Sequence, residues 1–182
     1  MRSKRETTFT EPSEHCPNPQ YWHSADCETT ELEVVELVAA FVRAIQPELV
    51  VETGTYNGTM AREIGRALKK NGHGRLVTFE VDPVLHEAAK KRCKGLPVEL
   101  KLQSSLDWEP DQKIDFCWFD SGLETRVQEF KQYYPHLKGS IIGIHDTAPQ
   151  HQVRGYVEEA ILGQLSPMWL NTPRGVMFAQ VL

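Results

Sequence analysis

Residues 49–58 read Leu49-Val50-Val51-Glu52-Thr53-Gly54-Thr55-Tyr56-Asn57-Gly58, an apolar run that closes on an acid, crosses two glycines and enters an amphipathic stretch from Thr59 to Lys70. This is a strand, a loop and a helix. Glycines in such a loop let the backbone pass close to a ligand at a helix N-terminus. A bulky side chain at Gly54 is therefore expected to block the ligand path without unfolding the domain. A dinucleotide site would carry Gly-x-Gly-x-x-Gly beneath a pyrophosphate. The spacing here is Glu-x-Gly-x-x-x-Gly, and the carboxylate of Glu52 suits a cationic group instead. Glu52, Thr53, Gly54, Tyr56 and Gly58 are the loop's candidate ligand contacts.

Outward from this loop, short apolar runs alternate with longer amphipathic ones, the pattern of an α/β fold with a parallel sheet covered on both faces. Strands are expected at Leu49–Glu52, Leu76–Val81, Val98–Gln103, Ile114–Asp120 and Ser140–Asp146. Helices are expected at Thr59–Lys70, Pro83–Lys94, Glu124–Tyr134 and Val153–Leu165. An earlier helix, capped by Thr29 or Thr30, should end near Gln46 because Pro47 disfavours helical geometry before it. Met168–Asn171 and Val176–Val181, split by a Thr-Pro-Arg-Gly turn, read as an antiparallel hairpin.

Ligands of open α/β sheets bind beyond the carboxyl ends of the strands, so the residues there carry the chemistry. The successive strands close on Glu52, on Glu80 with Asp82, on Ser104 with Ser105, on Asp120, and on His145 with Asp146. One polar strand end is ordinary solvation; polar ends on every strand point to a site. Glu80 follows the glycine loop by about the 20 residues at which a carboxylate receives ribose hydroxyls.

The chain has 182 residues, 40% of them hydrophobic, and a net charge of -5, which fits one globular domain. Its acidic balance disfavours a nucleic-acid partner and favours a small-molecule or glycan one. No apolar run is long enough to span a membrane and no signal core is seen, so a cytoplasmic location is expected. Residues 1–28 read as an arm or lid carrying Tyr21 and Trp22, ahead of a domain over residues 29–182. His15, Cys16, His23 and Cys27 cluster there, but their spacing matches no standard zinc pattern.

Four segments together resemble the class I S-adenosylmethionine-dependent methyltransferases, in particular the short O-methyltransferase-like families. They are Val-Val-Glu-Thr-Gly-Thr-Tyr-Asn-Gly from Val50, Val-Thr-Phe-Glu-Val-Asp-Pro from Val77, Ile-Asp-Phe-Cys-Trp-Phe-Asp from Ile114 and Gly-Ser-Ile-Ile-Gly-Ile-His-Asp-Thr from Gly139. The resemblance covers residues 31–182. It implies a Rossmann-like three-layer α/β/α sandwich with a seven-stranded, mostly parallel sheet whose last strand is antiparallel. It also implies S-adenosylmethionine (SAM) as cofactor, with Ser105 and Leu106 near the adenine and Asp120 near the methyl group.

In the metal-dependent members, the ends of the fourth and fifth strands hold a magnesium-like ion, a role the resemblance gives to Asp120 and Asp146. His145 stands where those families carry an acid, and imidazole is a poorer ligand for a hard cation. Two routes follow for the candidate catalytic residues Asp120, His145 and Asp146: a bridged Mg2+, or His145 as the base that takes the acceptor's proton. Transfer to nitrogen or a nucleic-acid base is the competing activity, although no Asp-Pro-Pro-Tyr-type motif follows Asp120. A non-catalytic SAM-binding protein is the competing non-enzyme reading. The domain is near minimal size, so the arm, a second subunit of a homo-oligomer or a large acceptor must complete the pocket.

Overall fold

The computed structural model describes residues 12–26 and 28–182 together with the backbone of Glu6–Thr7. Among the described residues seven strands form one sheet: β1 Leu49–Thr53, β2 Arg75–Glu80, β3 Val98–Leu102, β4 Phe116–Phe119, β5 Ile141–His145, β6 Leu165–Leu170 and β7 Val176–Val181. Their order is β3-β2-β1-β4-β5-β7-β6. The first five are parallel, and β7 runs antiparallel to both β5 and β6. Chain order reverses between β1 and β4, which opens a crevice at their carboxyl ends.

Side chains of a strand alternate between faces, so an apolar run with no polar alternation needs a cover on both. Leu49 and Val51 join Phe119, Phe130 and Val157 in one core, while Val50 joins Val38, Ile64 and Trp118 in the other. Helices α1 Leu32–Ile45, α2 Thr59–Asn71 and α3 Pro83–Arg92 cover the second face; α4 Thr125–Leu137 and α5 Gln152–Ala160 cover the first. The result is the three-layer sandwich with an antiparallel last strand. No helix of the described residues is long and apolar enough to cross a membrane.

The differences from the sequence reading fall at element ends. The last helix stops at Ala160 rather than Leu165; a 3-10 turn, Leu162–Gln164, follows and β6 begins at once. Pro167 lies inside β6, which is tolerable because β6 is an edge strand. Helix α4 continues past Pro135 to the buried Leu137. Helix α1 begins at Leu32 behind Glu31, and neither Thr29 nor Thr30 caps it. The Thr29 hydroxyl oxygen instead receives the N–H groups of Ala25 and Asp26.

In the arm, Glu6–Thr7 pairs with His23–Ser24. The His15 ring meets the Thr172 carbonyl oxygen at 2.8 Å, and His23 meets Glu33 at 2.9 Å. Cys27, the fourth member of the His/Cys cluster, lies outside the described residues.

Gly54 corrects a second expectation. Its φ is +82°, and a Cβ there would lie 2.4 Å from the Asp120 carbonyl oxygen and 2.9 Å from the Ser121 Cα. The glycine is required where the loop crosses the end of β4, and not only beside a ligand. Gly54→Val is therefore expected to destabilise the unliganded protein by about 3 kcal/mol, from overpacking plus a strained φ. Denaturant unfolding without ligand measures this; an unchanged midpoint would restore the ligand-path explanation.

Candidate active site

At the carboxyl edge the crevice widens to a cavity of about 520 Å3 lined by the Gly54–Tyr56 loop, Glu52, Glu80, Ser105, Asp120, Asp146, Arg174 and the 28–30 segment. Glu80 is held by backbone: its Oε2 receives the Tyr56 N–H at 2.7 Å, and its Oε1 receives those of Val81 and Asp82, both at 2.9 Å. Tyr56 reaches it through a left-handed φ of 49°. Oε2 keeps a lone pair for a ligand hydroxyl. Glu52 is buried behind the loop and accepts the Thr78 hydroxyl. Burial, reinforced by the nearby charges of Asp120 and Glu80, pushes its pKa up to about 8, so a cation arriving beside it would draw its proton off.

Thr53, Gly58 and His145 do not line the cavity. Gly58, at a φ of +80°, lies where a Cβ would meet Ala89 of α3 at 2.9 Å, so it serves the packing of α2 on α3. Thr53 donates its hydroxyl to Glu129 at 2.9 Å. Ser121 donates to the same carboxylate at 2.8 Å, and so does Ser105. Glu129 thus clasps the end of β1 to the loops after β3 and β4, and burial holds its carboxyl pKa above the usual range. Ser105 reaches the cavity wall with its hydroxyl already committed, and its carbonyl oxygen accepts the Tyr133 hydroxyl at 2.6 Å. Leu106 is not part of the wall.

Asp120, His145 and Asp146 do converge: one ligand atom from each lies within 4.8 Å of the others. His145 is fully buried, its Nδ1 3.1 Å from Asp120 Oδ1 and its Nε2 2.7 Å from Glu31 Oε2. Two carboxylates demand two N–H donors, so the ring is an imidazolium. Burial alone would lower its pKa, but the charges of Asp120, Glu31 and Asp146 outweigh burial and push it up to about 10. The same contact lowers Glu31 to about 2 against its own burial. The route with His145 as base is thereby corrected: the ring has no lone pair to offer and no access to the cavity.

Asp146 turns the chain with a φ of 59°, a left-handed conformation that aspartate tolerates better than most residues. Its Oδ1 accepts from Arg174 Nε at 2.7 Å and its Oδ2 from Arg126 Nη2 at 2.9 Å. That nitrogen also reaches Asp120 Oδ1 at 3.1 Å, and Asp120 Oδ2 accepts the Thr30 hydroxyl at 2.7 Å. Opposed by burial, the charges of His145, Arg126 and Arg174 hold the Asp146 carboxyl well below the carboxylate range.

Residues 51–147, just over half of the chain, match the sequence profile of a family described as a methyltransferase domain. The chain belongs to this methyltransferase-domain family. Among solved structures, the O-methyltransferase TomG from Streptomyces achromogenes, involved in tomaymycin synthesis and in complex with SAM, is similar with a TM-score of 0.73. The match has 20% identity and covers 85% of this chain and 82% of that one. An O-methyltransferase from Bacillus cereus in complex with S-adenosylhomocysteine (SAH) reaches a TM-score of 0.73 at 18% identity, over 86% of this chain and 84% of that one. SAH-bound PaMTH1, a methyltransferase of Podospora anserina, gives 0.69 at 18%, over 87% and 81%. At these identities the likeness is one of fold. No curated protein sequence matches the chain.

The methyltransferase carries site residues that sequence reading missed: Thr30, Glu31, Arg126, Glu129 and Arg174. Two had a signal. At about 100° per residue, Arg126 falls in the middle of the α4 stripe marked by Phe130, Tyr133 and Leu137, and Glu129 at its edge. Charges on an apolar stripe must be paired. Glu31 and Arg174 had no such mark, because they meet only when the chain folds: the Arg174 N–H donates to Glu31 Oε1 at 2.9 Å.

The methyltransferase's stability should follow His145. Unfolded, the imidazole loses its proton near pH 6.5; folded, it keeps it to about 10. Its contribution is complete below the lower value and is lost as pH rises through the upper one. Thermal midpoints of the wild type should therefore fall between pH 7 and pH 10. His145→Gln should cost about 3–5 kcal/mol at pH 7, by leaving buried carboxylates unpaired, and should flatten that fall. A variant with wild-type stability and slope would remove the imidazolium from the account.

Proposed function

We propose that this methyltransferase transfers the methyl group of SAM to a hydroxyl of a small-molecule or glycan acceptor. The observation that carries the reading is Glu80, fixed by three backbone N–H groups and opening onto the same cavity as Asp120. When bound, SAM supplies a methyl carbon already activated by a positive sulfur, which leaves as a neutral thioether. The chain's residues have two tasks. Glu80 would hold the ribose and Glu52 the cationic end, while the Glu129 clasp keeps the loops around Ser105 and Ser121 in place. Asp120, whose side chain is 17% exposed, receives the acceptor hydroxyl. With methyl transfer to oxygen supplied by that cofactor, Asp120 would take the proton the acceptor hydroxyl gives up and pass it to water.

Two of the similar structures are O-methyltransferases, which supports oxygen as the accepting atom. Glu28, the last residue of the arm, lines the wall beside Thr29 and Thr30, which supports the arm as the element that completes the pocket over the acceptor.

Glu80→Ala should weaken SAH binding about 10- to 100-fold, the loss of a charged hydrogen bond to the ribose, and should also lower the thermal midpoint because three backbone N–H groups lose their acceptor. Titration calorimetry checks this, and an unchanged affinity would refute the cofactor site. With labelled SAM and a panel of hydroxyl and amine acceptors, methylation should appear on hydroxyls. Asp120→Asn should lower turnover by roughly 10²- to 10⁴-fold while SAH still binds. Label found only on amines would refute transfer to oxygen.

A further inference from the structure

The resembling metal-dependent O-methyltransferases put a divalent ion where this chain has Asp120 and Asp146. Each carboxylate oxygen there already has a donor. Asp146 uses one oxygen for Arg174 and the other for Arg126. Asp120 uses Oδ1 for Arg126 and His145, and Oδ2 for Thr30. The third acid, Glu31, takes His145 on one oxygen and the Thr172 hydroxyl and Arg174 N–H on the other.

The charges also close. Glu31, Asp120 and Asp146 are matched by Arg126, His145 and Arg174, and except for Asp120 and Arg174 these side chains are no more than 4% exposed. A divalent ion bridging Asp120 and Asp146 would have to displace at least one guanidinium contact. It would then leave unbalanced positive charge among largely buried side chains, beside two guanidiniums that keep their protons. The donor set does not fit a hard cation.

Resting on the reading as an O-methyltransferase, we propose that Arg126, His145 and Arg174 stand in the place of the divalent ion, so that transfer in this protein needs no metal. The substitution of an acid by His145 is then one part of a consistent exchange. A ligand position becomes an internal cation, Arg126 enters from α4, and Arg174 enters from the turn before β7. The ion's service to the site, holding Asp120 and Asp146 at one spacing, passes to Arg126 Nη2, which touches both carboxylates.

The test needs no acceptor. Mn2+ is titrated into the full chain with and without SAH and followed by its paramagnetic resonance signal, alongside Asp146→Asn. The wild type is expected to bind no more Mn2+ than that variant; weak binding equal in both belongs to carboxylates elsewhere and equally supports the proposal. One equivalent bound by the wild type and lost in Asp146→Asn would overturn it. With an acceptor in hand, EDTA should change turnover by less than about twofold, and turnover abolished by EDTA and restored by Mg2+ would overturn it as well. If no acceptor is ever methylated, the functional reading fails while the Mn2+ result still decides the metal question.

Discussion

The imidazolium of His145 between Glu31 and Asp120 is the contact on which the carboxyl edge of the sheet depends. It joins the residue preceding α1 to the end of β4 through the end of β5, three segments distant in sequence. A buried charge is tolerated only when paired and hydrogen-bonded, and here each charge is. Removing one partner of such a set typically costs 3–5 kcal/mol, a large part of the roughly 5–15 kcal/mol that keeps a domain folded. A divalent ion about 4 Å from one of these guanidiniums would meet roughly 8 kcal/mol of repulsion at an effective dielectric near 20, a cost set against what the carboxylates would return.

Two other devices turn the sheet edge into a pocket. The loop after β1 crosses the end of β4 so closely that only glycine fits at position 54, and this brings the Tyr56 N–H onto Glu80. From below, Glu129 gathers the hydroxyls of Thr53, Ser105 and Ser121. The side of the cavity beneath the glycine loop is thus braced by neutral hydroxyl donors and the Asp120 side by charges. Both braces include a residue from α4, Glu129 for one and Arg126 for the other, so this helix sets the two halves of the site relative to each other.

The fold was legible because its signal is local. Val50 and its neighbours are apolar on both faces, which requires helices on both sides, and a resemblance in four short segments supplied the strand count and the antiparallel ending. Element ends were less legible: Pro167 reads as a strand boundary unless one knows that its strand lies at the sheet edge. Along the cavity wall, Glu80 and Asp120 could be placed because each closes a strand. The role of His145 could not, since an imidazole at a strand end is a base, a ligand or a buried cation depending on what faces it. What faces it includes Glu31, 114 positions earlier, and no local pattern records that pairing.

The central claim is the charge state of that ring, and nuclear magnetic resonance of protein labelled with 15N in its histidines reads it directly. The account predicts one histidine whose two ring nitrogens both carry slowly exchanging protons well above neutral pH, and whose signals vanish in His145→Gln. A His145 ring that titrates near the ordinary imidazole value, with one nitrogen unprotonated at pH 8, would contradict the paired imidazolium and with it the charge-balanced site.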